Sequence, residues 1–208
     1  MGTQGASDRR AMIEWAVASM PLAGQQRSGD LCVVEPFADG TLVGVIDGAG
    51  HGEEAREAAD TAATILKAHA ADSVDSLMRR CHEGLLGGRG AAMTLVSISA
   101  SDHTLSCLGV GNVEGVLLRR CPGSRKREGI VQRGGVVGFR LPPLHTTKMD
   151  CGRDDLLVLA TDGIRPGFVN DLLSEASTQQ MADDILTRLA RGSDDALVLV
   201  IRVGDGVA

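Results

Sequence analysis

The stretch Thr41 to Gly52, TLVGVIDGAGHG, is an apolar run that reads as a strand and ends in an aspartate set among glycines. A carboxylate that follows a buried strand and precedes a tight turn is placed at a rim, where it can hold a cation. Comparable carboxylates recur in TDG at Thr161 to Gly163 and in SDD at Ser193 to Asp195, each beside its own apolar run, while Asp30 opens another such run. Aspartate oxygens with backbone carbonyls and water favour hard divalent cations, Mg²⁺ or Mn²⁺, over zinc, whose sites prefer His and Cys. Two such ions roughly 3.5 to 4 Å apart can clamp a phosphoryl group for in-line attack by water. Asp47 is then the natural bridging ligand, with the Gly48 carbonyl adjacent, and the glycines leave the space that the ions need. Any one of these aspartates is as readily a turn residue or a helix cap. The matched settings of Asp30, Asp47, Asp162 and the Asp194-Asp195 pair favour a shared metal site. A phosphate cradle at Gly48 to Gly52 fits less well, because the G-x-G-x-x-G spacing is absent, no Lys follows, and Asp47 would repel an unscreened phosphate.

The elements that must position these residues follow from the spacing of apolar side chains. Strands are expected at Met12 to Ser19, Asp30 to Phe37 and Thr41 to Asp47, the last two forming an antiparallel hairpin around Ala38-Asp39-Gly40. That hairpin brings Asp30 and Asp47 to the same end of neighbouring strands. From Glu53 the period changes: Ala55, Ala58, Ala59, Ala62, Ala63, Leu66 and Ala70 recur at helical spacing, a stripe of small side chains that should lie close against its cover. A second helix is expected over Val74 to Leu86. A meander of strands follows at Met93 to Ala100, Thr104 to Val110 and Val113 to Arg120, then strands at Thr146 to Cys151 and Leu156 to Thr161. Helices near Gly167 to Ser174 and over Thr178 to Arg191 precede a last strand, Ala196 to Val203. Runs of strands with helices in separate blocks predict an α+β fold with helices on the outer faces of antiparallel sheets.

The chain has 208 residues, is 43% hydrophobic and carries a net charge of −6, which suits one globular domain over 1–208, with residues 1–10 expected to be flexible. An acidic chain with three Phe, one Trp and no Tyr has little with which to stack bases or track a phosphate backbone, so nucleic acid is not an expected partner. No apolar run reaches the roughly 18 residues of a membrane span. The five cysteines are scattered without a C-x-x-C pair and read as buried thiols in a reducing cytoplasm.

With SGD at Ser28 to Asp30, DGAGHG at Asp47 to Gly52, ATDGI at Ala160 to Ile164 and DDALVLVIR at Asp194 to Arg202, the chain resembles the metal-dependent type-2C protein phosphatases. Within them it is most similar to the compact bacterial branch of sporulation and stress-response enzymes, with GVGNVEGVLLR at Gly109 to Arg119 and GGVVGF at Gly134 to Phe139 adding to the match. The resemblance implies an αββα sandwich of two antiparallel sheets flanked by helices, and a monomeric cytoplasmic phosphoserine/phosphothreonine phosphatase using two Mg²⁺ or Mn²⁺ ions. It makes Asp47 the bridging ligand beside a hydroxide that bridges the metals and attacks phosphorus directly, and the Gly48 carbonyl a ligand of the second metal. Asp162 and Asp194 would bind the first metal, with Asp30 beside the second. Asp195 is the alternative to Asp194 if the last strand shifts by one residue. The implied substrates are phosphorylated STAS-domain proteins of the stressosome.

Two positions depart from the better-known eukaryotic members. Ala49 stands where their motif has a histidine thought to be a general acid, and Gln25 where they have a phosphate-binding arginine. His51 and Arg27 are the candidates for these tasks, against a structural hydrogen bond for the first and a solvated loop position for the second. The basic run Arg119 to Arg133 reads either as a steering patch for an acidic partner or, by preference, as a solvated hairpin around Pro122-Gly123. The rival functions are a catalytically silent module that binds phosphoproteins and a phosphatase of small molecules.

Overall fold

The computed structural model describes residues 13–121, 124–170, 172 and 176–204. Its strands form two sheets. In the first, β1 (Ile13–Met20), β11 (Ala196–Val203), β10 (Leu156–Ala160), β6 (Glu114–Cys121) and β7 (Ser124–Gly129) lie side by side in that order. In the second the order is β2 (Asp30–Phe37), β3 (Gly40–Gly48), β4 (Ala91–Ser99), β5 (Thr104–Val110) and β8 (Gln132–Arg133), with β9 (Thr147–Asp150) also pairing β5. All pairings are antiparallel except the short one between β5 and β8. Helices α1 (Glu53–Ala68) and α2 (Val74–Gly84) cover the second sheet, and α3 (Thr178–Leu189) covers the first. The result is the expected αββα sandwich.

Three layers of apolar side chains hold it together. Val43, Val45, Val96, Leu157, Leu159 and Leu199 meet between the two sheets. Leu42, Ile46 and Leu95 face the alanine stripe of α1 and Leu77, Met78 and Cys81 of α2. Val158, Val198 and Val200 face Met181, Ala182 and Ile185 of α3. The central strands β3 and β11 are therefore covered on both faces, which is why they read as continuous apolar runs rather than alternating ones. Ser73 caps α2 by accepting from the Ser76 amide, and Ser177 forms a capping box with Gln180 on α3. Helix α1 begins after Gly52 with no side-chain cap, but Glu53 and Glu54 in its first turn suit the local dipole.

One expected helix is absent among the described residues, and two strands were not read from the sequence. The described part of Gly167 to Ser174 holds turns and no helix; residues 171 and 173–175 lie outside the described residues, as do residues 1–10 and Pro122-Gly123. The basic run forms the expected solvated hairpin, β6 and β7 pairing antiparallel up to Cys121 and Ser124, although the second strand, SRKREG, has no apolar residue by which to be read as one. As the edge of its sheet, β7 packs little and its charges discourage pairing with another chain. The two-residue β8 has no periodicity to read. Cys81, Cys107 and Cys151 are buried free thiols, as expected, while Cys32 and Cys121 are half-buried.

Candidate metal centre

Asp30 opens β2 and Asp47 lies near the end of β3, directly across the strand pair, so both side chains point to the same face of the sheet. That face is the one turned toward the other sheet, because Val43 and Val45, two and four residues earlier, pack between the sheets. At the same end of the sandwich the first sheet contributes Asp162, just past β10, and Asp194, just before β11. Gly163 holds these two segments together, since a Cβ there would stand 1.9 Å from the Asp195 carbonyl oxygen. Gly48 likewise admits the first turn of α1, for its Cβ would meet the Ala55 carbonyl oxygen at 2.0 Å.

The hydrogen bonds divide the aspartates into two kinds. Asp195, 3% exposed, accepts from the Leu22 and Gly29 amides, 2.7 Å each, so both of its oxygens pin the loop that leads into β2. Asp194 accepts from the Asp195 amide with one oxygen and has its other oxygen to offer. The Asp30 carboxylate accepts from the Thr161 hydroxyl at 2.7 Å, and that hydroxyl accepts in turn from the Leu197 amide at 2.9 Å, linking the two sheets beneath the site. Asn112 donates to Asp162 at 2.6 Å. Among the described residues, Asp30, Asp47, Asp162 and Asp194 have no ion pair with Arg or Lys.

Unneutralised carboxylates this close resist ionisation. Burial first, and then the charge of Asp47, push the Asp30 carboxyl up to about 8, against the opposing Thr161 bond. Burial first, and then Asp162, Asp194 and Asp195, push Asp47 up to about 7. Since both hold protons longer in the folded chain, their contribution to stability is present below the usual 3.8 and is lost as pH rises through about 7 to 8. In chelator, the wild-type chain should therefore lose stability relative to Asp30→Asn between about pH 5 and 8. Urea midpoints across that range check this, and parallel curves for the two proteins would refute it.

The donor chemistry fits a hard divalent cation: carboxylates from both sheets, the Gly48 carbonyl among the nearby backbone oxygens, and no cationic partner. Among the described residues no three His, Cys, Asp or Glu side chains are gathered into one ligand group, so the carboxylates meet at this end of the sandwich without forming a preassembled cage.

The remaining sequence candidates lie around this end. His51 is exposed in the bend before α1 and makes no hydrogen bond among the described residues, so the structural bond anticipated for it is not there. Arg27 is engaged with α1, donating to Glu53 at 3.1 Å and Asp60 at 3.3 Å, rather than solvated alone. Gln25 stands against the same glycine loop, its amide oxygen 3.3 Å from where a Gly52 Cβ would be. The basic strand β7 is elsewhere. Glu114, at the site end of β6, pairs with Ala160, and Arg120 lies six residues further along, roughly 20 Å away at strand rise. The cations of this β6–β7 hairpin are largely engaged, with Arg119 and Lys126 on Glu128, Arg120 on Asp154, and Arg127 donating to Asn170. Thr161, Asn112 and the pinning role of Asp195 were not singled out from sequence. Thr161 and Asn112 adjoin motifs already noted there, but only a partner from another strand gives each its task.

The family model for stage II sporulation protein E (SpoIIE) matches residues 38–204. Phosphoserine phosphatase RsbX of Bacillus subtilis (strain 168) is 25% identical over 105 residues, 50% of this chain and 53% of that protein, so the match spans about half the length of this relative. A solved chain from work on the bacterial stressosome as a modular system adapted to control secondary messenger signalling superposes with a TM-score of 0.83 at 24% identity, covering 91% of this chain and 99% of that one. RsbX in complex with magnesium superposes with a TM-score of 0.82 at 19% identity, covering 92% and 96%. At these identities the superpositions speak for the fold.

Proposed function

The chain belongs to the stage II sporulation protein E (SpoIIE) family, and on that premise we propose that it is a Mg²⁺- or Mn²⁺-dependent phosphoserine/phosphothreonine protein phosphatase. The observation that carries this reading is the mouth of unpaired carboxylates, Asp30 and Asp47 from one sheet facing Asp162 and Asp194 from the other. A module that only bound phosphoproteins would gain nothing from acidic groups that repel phosphate unless cations lay between. Two ions held there would supply Lewis acidity toward the phosphoryl oxygens and a water nucleophile at neutral pH.

The chain's own residues have distinct tasks. Asp47, with Asp162 and Asp194 among its charged neighbours, would be the ligand that the ions share, and the Gly48 carbonyl would offer a second donor without a side chain in the way. Thr161 holds Asp30 in place by donating to it. Asn112 holds Asp162. His51, exposed beside the glycine loop, is the candidate to protonate the leaving oxygen. Arg27, spanning Glu53 and Asp60, fixes the loop 21–29 to α1 and stands in the candidate place for a phosphate contact.

The substrates we propose are phosphorylated STAS-domain proteins of the stressosome, on the likeness to RsbX and to the stressosome chain. Among the described residues no helix is long and apolar enough to cross a membrane; a monomer acting in the cytoplasm belongs to the same proposal. The test is turnover of p-nitrophenyl phosphate and of a serine-phosphorylated STAS protein, each with and without chelator. We expect chelation to abolish both activities and added Mn²⁺ to restore them; undiminished turnover after exhaustive chelation would overturn the metal reading. The intact phosphoprotein should surpass an isolated phosphopeptide in kcat/KM by at least about tenfold, because remote contacts supply the energy that positions the phosphate. Equal rates on both would point to a phosphatase of small molecules.

A further inference from the structure

Phe139 is 82% exposed, whereas Phe168, elsewhere in the chain, is 2% exposed. Single exposed apolar residues are ordinary, but this one sits on a turn that the fold holds tightly. Val136 and Arg140 bridge across the turn, and the Phe139 and Arg140 amides both donate to the Val136 carbonyl. The Gly138 amide donates to Nδ1 of His82 on α2 at 2.9 Å, and a Cβ on Gly138 would meet that of Leu85 at 2.6 Å. A phenyl ring is thus offered to solvent from a rigid base, and Leu86, next to Leu85 in the chain, is 60% exposed.

The turn also adjoins the carboxylate mouth. Gly48 pairs with Ala91, and Ala91 bridges to Val137, so the turn lies two strand spacings from the proposed ligand carbonyl, roughly 10 Å. Between them runs the segment Arg89-Gly90. The Gly90 carbonyl accepts from the Ala49 amide at 3.0 Å, and an Arg89 Nη1 lies 3.5 Å from where a Cβ on Gly50 would be. Arg89 is paired with Glu54, but both side chains are more than half exposed, so an incoming anion can compete for the guanidinium at little cost.

We propose that this rim is the docking surface for the substrate protein, with Phe139 as the apolar anchor and Arg89 as the contact for anionic oxygens beside the reacting phosphate. The occupant is a folded phosphoprotein with an apolar patch next to its phosphoserine or phosphothreonine. This rests on the phosphatase reading above and gives that reading its source of specificity. It places substrate recognition at the rim that touches the glycine loop and not on the basic strand β7, at the far end of the sandwich.

The experiment compares wild type, Phe139→Ser, Phe139→Leu and Arg89→Gln on p-nitrophenyl phosphate and on the serine-phosphorylated STAS protein. Calorimetric binding of that phosphoprotein to Asp47→Asn, with and without Phe139→Ser, supplies a readout free of turnover. Phe139→Ser should raise KM for the phosphoprotein about tenfold, leave its kcat and the aryl phosphate kinetics unchanged, and weaken calorimetric binding by a similar factor. Phe139→Leu should recover most of the loss, and Arg89→Gln should raise KM on both substrates. Unchanged phosphoprotein binding in Phe139→Ser, or equal losses on both substrates, overturns the docking surface. Absence of turnover by the wild type on either substrate, with Phe139-dependent binding intact, overturns the phosphatase reading and leaves the docking surface standing.

Discussion

Asp47→Asn is expected to lower kcat on p-nitrophenyl phosphate by about a thousandfold or more at matched Mn²⁺, equivalent to roughly 4 kcal/mol of transition-state stabilisation. The substitution keeps the size of the side chain and removes one charge at the place where charge matters most. Asp47 lies across the strand pair from Asp30, and burial first, then the charges of Asp162, Asp194 and Asp195, oppose its ionisation, so it sits among the other acidic groups of the site. On the proposed reading Asp47 would be shared by two cations, so its neutralisation would weaken the hold on both. Loss of fold is not the cause expected here. Removing one of several mutually repelling carboxylates should raise the Tm of the chain in chelator at pH 8, where the wild-type group is ionised against its neighbours. Near-normal turnover in this variant would remove Asp47 from the bridge, while lost turnover with a lowered Tm would assign it a structural task.

Asp194→Asn and Asp195→Asn are expected to fail in opposite ways. Neighbouring side chains at a strand entry point to opposite sides, so only one of the pair faces the mouth. Asp195 is spent on the Leu22 and Gly29 amides, with both bonds at 2.7 Å and the side chain buried. An asparagine there keeps one acceptor and sets an NH₂ group against the second backbone donor. The loss of a charge-assisted bond and the stranded donor should cost about 3 kcal/mol, read as a lower urea midpoint with an unchanged slope. Asp194→Asn should leave that midpoint nearly unchanged and lower Mn²⁺ affinity by about a hundredfold in isothermal titration. Reversal of the two affinities would shift the site by one residue to Asp195.

Much of this was legible along the chain because it depends on local patterns. The alanine stripe of α1, the hairpin that sets Asp30 opposite Asp47, and the doubly covered runs of β3 and β11 each follow from periodicity or from turn residues beside them. The acidic motifs were visible for the same reason, since each ends or begins an apolar run. Strand β7 was hidden because an edge strand is stabilised by its neighbour's backbone and carries no apolar face to read. The helix expected near Gly167 to Ser174 is replaced, over the described Gly167 to Asn170, by turns that close over the first sheet through the buried Phe168 and Val169.

What the sequence determined by itself is therefore the strand-end placement of Asp30, Asp47, Asp162 and the Asp194-Asp195 pair, together with the glycines that let backbone turn beside them. Only the tertiary structure decided how these residues divide the work. Which aspartate pins the loop and which faces the mouth depends on amides 166 and 173 residues away. The Thr161 hydroxyl reaches Asp30 because two sheets close on each other. Phe139 lies near Gly48 because Ala91 pairs with Gly48 of β3 on one side and bridges to Val137 of the turn on the other. Backbone pairing and close packing between distant segments set these relations, and no spacing along the chain encodes them.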